Sequence, residues 1–350
     1  MYENILVNAM VNLGDVVLTT SAISLIKQHY PEVKITMLVK SVVAEAVKNN
    51  PVIDDVIILD YKAKDNAISK VKAVVKDIKQ RKFDLSISFD RKLRPALIAY
   101  LAGIPKRVGP SKVFDDNNSK VTWLYTDVVN IDYDLNRTLQ VETYQTIVRK
   151  FFGIEGSAKP VFARITTESK SKVDELFKRL PNAELKIALC VKGTFPLKTW
   201  SKEYFSEVIK NLSKTYNAAF YIIGAPSDRA YADEVIDATL LPIQNFCGET
   251  SLVDLAAIFE RSDLLITVDT GAAHIAATTG IRMVTIYGCT SPDRWHPIND
   301  NAIVFTSRES CCPCSIKAED CPSYPNPKCL YNVTPKMVIN ACHKLIQNKS

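Results

Sequence analysis

Short apolar runs alternate with amphipathic stretches along the chain, which is the pattern of alternating strands and helices. In the first half, helices are predicted from Asp15 to Tyr30 and between Asp65 and Arg81, where apolar residues recur at helical spacing. Residues 110–136 are polar and aperiodic, which predicts a mobile loop. The predicted strands are Ile5–Ala9, Lys34–Val39, Val56–Leu59, Leu85–Phe89 and Arg107–Gly109.

The alternation begins again after a predicted linker near residues 154–164. Two consecutive sets of strand–helix units predict an α/β protein with two doubly wound parallel-sheet domains, residues 1–160 and 161–333. Thr334 as N-cap and Pro335 at the first helical position predict a last helix over 334–350. The strands predicted in this half are Ile187–Val191, Phe220–Ile223, Ile243–Phe246, Leu264–Val268 and Met283–Tyr287.

The composition is that of an ordinary globular enzyme, with 47% apolar and 23% charged residues among 350. No apolar run approaches the ~20 residues that a membrane span needs. The first residues carry no basic region of the kind that begins a signal peptide. We therefore expect a cytoplasmic protein.

The positive charge is unevenly distributed. Residues 1–165 hold 24 Lys and Arg against 18 Asp and Glu, whereas residues 166–350 hold 20 of each. Small basic clusters stand at Arg91 and Arg94 and at Lys106 and Arg107. This asymmetry suggests an anionic partner for the first half, namely a membrane surface, a phosphorylated acceptor or nucleic acid. Solvated helix faces are the alternative.

The nine cysteines fall into two groups. Four are scattered in apolar contexts and are interpreted as buried small hydrophobic residues. The other five crowd into a proline-rich stretch whose spacing matches no standard zinc motif, so a structural role, as thiols or as a disulfide staple, is expected before a metal site. The first group is Cys190, Cys247, Cys289 and Cys342, and the second is Cys311, Cys312, Cys314, Cys321 and Cys329.

The segment from Asp263 to Ala277 is the strongest candidate for chemistry. An apolar strand runs directly into Asp269, Thr270 and Gly271, and a helix of small residues follows. This order places N–H groups and a hydroxyl at a helix N-terminus, where the helix dipole favours an anion such as a diphosphate. His274 would lie in the next turn. An ordinary strand–turn–helix with a capping threonine is the alternative.

The first strand-to-helix turn ends in Gly14 and Asp15 and carries one glycine, so it lacks the glycine-rich dinucleotide fingerprint. Asp15 at a helix N-terminus is a candidate general base for a hydroxyl, or a simple helix cap. Lys198, after the first strand of the second half, is a candidate diphosphate contact or a solvated lysine. Asp228 is a candidate ribose contact or a cap. No HExxH, Walker-type loop or GxSxG occurs, and nothing suggests a metal-activated nucleophile.

Taken together, these segments resemble the heptosyltransferases of glycosyltransferase family 9. The resemblance implies a GT-B fold, in which two Rossmann-like domains face each other across a cleft and the last helix crosses back to the N-terminal domain. Residues 1–160 would bind the acceptor and residues 161–333 the nucleotide sugar. The resemblance is carried by Asn12-Leu13-Gly14-Asp15, Lys198-Thr199-Trp200, Asp269-Thr270-Gly271 with His274, and the turn with Gly288, Thr290 and Pro292.

The resemblance also implies the reaction: inverting, metal-independent transfer of a heptose from ADP-L-glycero-β-D-manno-heptose to a lipopolysaccharide inner-core acceptor. Asp15 would be the general base, with Lys198 as the second catalytic residue. It implies no cofactor, no metal and no nucleic acid, but an anionic glycolipid acceptor and peripheral contact with the inner membrane surface. The implied donor-binding residues are Thr194, Lys198, Asp228, Asp269, Thr270, Gly271 and His274, and the implied acceptor-binding residues are Gly14, Arg91 and Arg94.

Two segments depart from the family pattern. Thr19-Thr20-Ser21 stand where many relatives carry a proline, and Gly193 stands where a hydroxyl is common. The acceptor and the sugar therefore stay open. A GT-B transferase or epimerase for another nucleotide sugar is one alternative, and a non-catalytic nucleotide-binding protein is another.

Overall fold

The computed structural model describes residues 2–60, 67–114, 117–314 and 317–348. The chain divides into two compact units, Met1–Arg164 and Ile165–Ser350. Each unit is built on a six-stranded sheet whose neighbouring strands all run parallel. The predicted α/β class with two doubly wound parallel sheets is thus confirmed.

The first sheet has the order β3-β2-β1-β4-β5-β6. Its direction of winding reverses between β1 and β4, and at such a switch point open α/β sheets bind ligands beyond the carboxyl ends of the strands. The central strands β1 and β4 are buried except at Asn4, as is typical of parallel strands that are covered on both faces. The strands are β1 (Asn4–Asn8), β2 (Lys34–Val39), β3 (Asp55–Ile58), β4 (Leu85–Ser88), β5 (Lys106–Pro110) and β6 (Asp127–Val129).

In the described part of the first unit, five α-helices surround this sheet; the first is buried over residues 16–26 and packs against the fifth. A helix buried on all sides must satisfy its own polar groups. The hydroxyls of Thr19, Thr20 and Ser21 therefore donate to carbonyls three residues earlier, at 2.6–2.7 Å. The helices are α1 (Leu13–His29), α2 (Ser41–Ala44), α3 (Ala67–Arg81), α4 (Leu93–Leu101) and α5 (Gln140–Phe152).

The prediction of a mobile loop over 110–136 is wrong for part of this stretch. The edge strand β6 lies within it, and Val121, Leu124 and Tyr125 are buried. Tyr125 packs its ring against Gly109, where an added Cβ would meet ring atoms at 2.2 Å. A three-residue strand shows too little periodicity to be recognised in a polar sequence. Residues 115 and 116, at the centre of the predicted loop, lie outside the described residues.

The second sheet has the order β12-β11-β10-β7-β8-β9, which is the same winding order as the first. Its switch point lies between β7 and β10. The strand predicted over residues 243–246 is reduced to two residues, and an additional edge strand, β12, follows the last predicted one. The strands are β7 (Leu185–Cys190), β8 (Ala218–Ile222), β9 (Gln244–Asn245), β10 (Leu264–Val268), β11 (Met283–Ile286) and β12 (Ala302–Phe305).

The last helix of the chain begins after Thr334, with Pro335 at its first turn, as predicted. It packs against α7 and contributes Val338, Cys342 and Leu345 to the core of the second unit. Its return to the first domain stays a prediction. The helices of the second unit are α6 (Thr167–Phe177), α7 (Lys202–Thr215), α8 (Arg229–Thr239), α9 (Leu252–Glu260), α10 (Gly271–Thr279), α11 (Pro292–Trp295), α12 (Lys328–Tyr331) and α13 (Pro335–Gln347).

Among the helices that the structure describes, none combines the length and the apolar character required to cross a membrane.

Candidate functional site

Asp15 lies in the first turn of α1, directly after β1 and beside the switch point of the first sheet. The helix N-terminus carries partial positive charge, which favours an ionised carboxylate at this position. The hydroxyl of Tyr144, on α5, donates a hydrogen bond of 2.9 Å to Oδ1 of Asp15. Gly14 precedes Asp15 in the same turn. The structure therefore presents a half-buried, oriented carboxylate where the sequence predicts a base.

Asp90, which sequence reasoning missed, stands at the same sheet edge after β4. Its carboxylate is buried, its Oδ2 has no hydrogen-bond partner, and the Lys92 ammonium lies 3.8 Å away. Burial raises the pKa of Asp90. Burial and the Lys92 charge lower the pKa of Lys40, against the opposing influence of Asp90 and Asp15. The only signal in the sequence was the position of Asp90 immediately after a predicted strand.

Arg91 is exposed and Arg94 is half-buried near the start of α4. Both follow Asp90 directly, so basic side chains stand close in sequence to the carboxyl end of β4. Their contact with an acceptor stays a prediction.

Asp269, Lys198 and Thr290 come together in the second unit, as the sequence predicts for the first two. Asp269 follows β10, and its Oδ2 lies 2.6 Å from the Lys198 ammonium and accepts a 2.6 Å hydrogen bond from the Thr290 hydroxyl. Both members of the ion pair are largely buried, with side-chain exposures of 17% for Lys198 and 7% for Asp269. The carboxylate holds the lysine at the switch point between β7 and β10.

The N-terminus of α10 adjoins this ion pair. Thr270 is the N-cap residue, yet its hydroxyl makes no capping bond and is buried without a hydrogen-bond partner. Gly271 is the first helical residue. His274 is buried, its Nδ1 is likewise unpartnered, and burial lowers its pKa to about 4. Buried polar atoms without partners are costly, so their presence beside a free helix N-terminus indicates a binding site.

The loop that carries Lys198 depends on a glycine. A Cβ at Gly193 would lie 2.5 Å from the Lys198 Cβ and 2.6 Å from its carbonyl oxygen. Any larger residue would push Lys198 away from Asp269. This close approach is the physical reason for glycine at position 193. Thr194, the next residue, is exposed on the same loop.

Asp228 stabilises its own turn. Its Oδ2 accepts a 2.9 Å hydrogen bond from the Ala225 N–H, and its Oδ1 lies 3.6 Å from the Lys192 ammonium. The turn follows β8, at the same sheet edge as Lys198 and Asp269. Asp228 is the N-cap residue of α8 but makes no side-chain bond to that helix, so its carboxylate closes the preceding turn instead. The contact with a ribose stays a prediction.

The cysteines are all free thiols. The four scattered ones are buried as predicted, and burial raises their pKa to about 12. The proline-rich stretch is joined to the turn after β11 by a 2.8 Å hydrogen bond from the Cys314 N–H to the Cys289 carbonyl. In the ranges that the structure describes, no group of His, Cys, Asp and Glu side chains is arranged to hold a metal ion.

Two consecutive six-stranded parallel sheets with the same winding order are the architecture of the GT-B class. Residues 71–324 match the model of glycosyltransferase family 9 (heptosyltransferase). Because this match covers more than half of the chain, the protein belongs to glycosyltransferase family 9 and is a glycosyltransferase.

This chain is similar to known heptosyltransferases and family 9 glycosyltransferases over most of its length. Lipopolysaccharide heptosyltransferase 3 of Escherichia coli (strain K12) is 26% identical over 308 residues, which cover 83% of this chain and 84% of the relative. The crystal structure of a family 9 glycosyltransferase from Veillonella parvula superposes with a TM-score of 0.85 at 22% identity, covering 99% and 98% of the two chains. The structure of the E. coli ADP-heptose lipopolysaccharide heptosyltransferase II superposes with a TM-score of 0.80 at 19% identity, covering 99% of each chain. These solved structures establish the GT-B fold.

Proposed function

We propose that this protein transfers a heptose from ADP-L-glycero-β-D-manno-heptose to a lipopolysaccharide inner-core acceptor, with inversion and without a metal. Membership of family 9 supports the transfer of a heptose. The names of the E. coli relatives, one a lipopolysaccharide heptosyltransferase and the other an ADP-heptose enzyme, support the acceptor and the donor.

The observation that carries the donor assignment is the set of unsatisfied groups at the start of α10. The Thr270 hydroxyl and the first N–H groups of the helix have the geometry of a phosphate site, and the Lys198 ammonium stands beside them. The leaving diphosphate gains negative charge as its bond to the sugar breaks, and preorganised donors stabilise that charge. In this proposal Lys198 and the helix N-terminus together supply the electrostatic stabilisation.

Asp15 is the proposed general base. The acceptor hydroxyl oxygen forms a bond to the anomeric carbon, while the bond from that carbon to the diphosphate oxygen breaks. The hydroxyl proton passes to the Asp15 carboxylate, and ADP leaves with the electron pair. A carboxylate suits this role because it is ionised at neutral pH and lies at a helix N-terminus beside a ligand-binding switch point.

The basic excess of the first unit supports an anionic acceptor. Arg91 and Arg94 add positive charge after β4, the strand next to the one that leads to Asp15. Such a surface attracts phosphate and carboxylate groups of a glycolipid at the inner face of the membrane, with peripheral contact to the bilayer.

The proposal is tested by transfer assays and by ADP binding, measured calorimetrically, on four variants. Asp15→Asn is expected to lose at least about 100-fold in kcat while ADP binds as in the parent. Lys198→Met is expected to weaken ADP binding at least about tenfold, because a charge-assisted contact is removed. Lys198→Arg keeps the charge and should recover part of that loss. Lys202→Met is the matched control. Lys202 stands a few residues after Lys198 in the sequence and forms an exposed ion pair with Glu234.

A donor screen settles the nucleotide. ADP and ADP-heptose should raise the Tm, whereas UDP-, GDP- and dTDP-sugars should not. Stabilisation by UDP- or dTDP-sugars alone would make ADP-heptose wrong as the donor. Full transfer activity in Asp15→Asn would remove the base from the mechanism.

A further inference from the structure

We infer that Tyr144 is a positioning residue, whose hydroxyl fixes the Asp15 carboxylate for proton transfer. This inference rests on the proposed role of Asp15 as the general base. Tyr144 lies on α5, 129 residues after Asp15 in the sequence. The sequence of this helix shows no motif of its own.

The Tyr144 ring is buried and packs against Phe89. Its relative exposure is 0%, and its ring makes an edge-to-face contact with Phe89 at a centroid distance of 5.3 Å. Phe89 directly follows β4, the strand on the far side of the switch point from β1. Because α1 and α5 pack together along their lengths, the phenol is delivered to the first turn of α1 without freedom to turn away.

One carboxylate oxygen of Asp15 is therefore bound to Tyr144. The 2.9 Å hydrogen bond from Tyr144 fixes Oδ1 and the plane of the carboxylate. A carboxylate on a half-exposed helix turn otherwise samples several rotamers, and small displacements of a reacting group cost much of the rate. A donated hydrogen bond also favours the ionised form of a carboxylate. Orientation and basicity are thus controlled by the same hydroxyl.

Charged groups near Asp15 follow the two neighbouring strands β2 and β4. Lys40 follows β2 and interacts electrostatically with Asp15, and Asp90 and Lys92 follow β4 and interact with Lys40. On α5, Tyr144 provides the hydrogen bond. Replacing the tyrosine by phenylalanine leaves all of these charges in place, so the change in pH dependence reports the hydroxyl.

The test compares Tyr144→Phe with the parent, with Asp15→Asn and with Tyr133→Phe. In Tyr144→Phe we expect kcat to fall about tenfold with KM for donor and acceptor within about twofold, since a hydrogen bond to a charged group is lost. The acidic limb of the kcat/KM profile should move up by about one pH unit. Tyr133→Phe is the matched control: its hydroxyl donates to Thr143 Oγ1 at 3.3 Å, just before the helix, and its loss should change neither quantity.

The outcomes separate the two levels of the argument. An inactive Asp15→Asn beside a Tyr144→Phe variant with the parent kcat and pH profile would overturn the role of Tyr144 alone. An active Asp15→Asn would overturn the proposed base itself. In the double variant, Tyr144→Phe should cause no further loss, because the hydroxyl acts through the carboxylate. An equal loss in both backgrounds would mean that Tyr144 acts only through stability, which also contradicts the inference.

Discussion

Buried polar side chains mark both switch points at the scale of single residues. In the first unit Asp90 keeps an unpartnered carboxylate oxygen, and in the second unit Thr270 and His274 keep an unpartnered hydroxyl and ring nitrogen. Each such group costs about 1–3 kcal/mol. This cost makes the carboxyl ends of the strands the candidate sites for a ligand that would give these groups partners.

His274 makes stability depend on pH. Burial lowers its pKa from 6.5 to about 4, so the unfolded chain protonates this ring well before the folded chain does. The free energy of unfolding should therefore fall as the pH is lowered from 6.5 to 4, by about 3 kcal/mol over the whole window. Urea unfolding at several pH values measures this slope.

The contribution of His274 is isolated by substitution. In His274→Gln, the free energy of unfolding should change less with pH in this window than in the parent. His29→Gln, at the C-terminal end of α1, is the control and should keep the parent slope. Equal slopes in His274→Gln and the parent would show that other groups cause the acid dependence.

Proximity in sequence decided which of these residues were predicted. Asp269, Thr270, Gly271 and His274 stand within one strand–turn–helix, so their pattern predicts their neighbourhood. Tyr144 contacts Asp15 through the packing of two helices, and such a contact has no local signature. Asp90 is a single carboxylate after a strand and resembles many surface residues until its burial is known.

At the scale of elements, Trp200 connects the loop that carries Lys198 to the C-terminal segment of the chain. It directly follows the Lys198 loop and is fully buried, and its Nε1–H donates to the carbonyls of Leu330 and Val333, at 3.2 and 3.0 Å. These carbonyls lie at the end of α12 and just before α13. One indole thus holds the C-terminal segment against the start of α7.

Trp200→Phe should lower the free energy of unfolding by about 3 kcal/mol, because it removes buried volume and the indole N–H that donates to the Leu330 and Val333 carbonyls. Chemical denaturation measures the change. Trp123→Phe is the control, since Trp123 is 68% exposed and its change should stay within about 0.5 kcal/mol. Similar losses in the two variants would refute the anchoring role.

Elements with strong periodicity were predicted closely, whereas the edge strand β6 was missed and β9 was predicted two residues too long. The central strands and α1, α3 and α13 match their predicted positions closely. The edge strands β6 and β9 have three and two residues, respectively, and depend on pairing with β5 and β8. Their structure is set by neighbours that are distant in sequence, which no window of the chain reveals.

At the scale of the whole molecule, each unit has its own sheet and its own core. One core cluster of the second unit combines β7, β8, β10 and β11 with α7, α8 and α13. A segment with a complete sheet and core can fold by itself. The fragment of residues 165–350 is therefore expected to unfold cooperatively and to bind ADP.

A shorter fragment of residues 165–333 provides the comparison. It lacks α13, whose buried face includes Val338, Cys342 and Leu345, and it should show no cooperative transition in thermal unfolding monitored by circular dichroism. A cooperative transition of equal Tm in both fragments would show that α13 is dispensable for the second unit.

The shared winding order of the two sheets has a consequence for how such an enzyme can change its specificity. The proposed base stands after the first strand of one sheet, and the proposed diphosphate lysine stands after the first strand of the other. Under the proposed function, each substrate is recognised by its own copy of one architecture. Exchanging the acceptor unit between relatives, as a chimera, would give a new product from the same sugar donor, and mutations could accumulate in one half while the other stays unchanged.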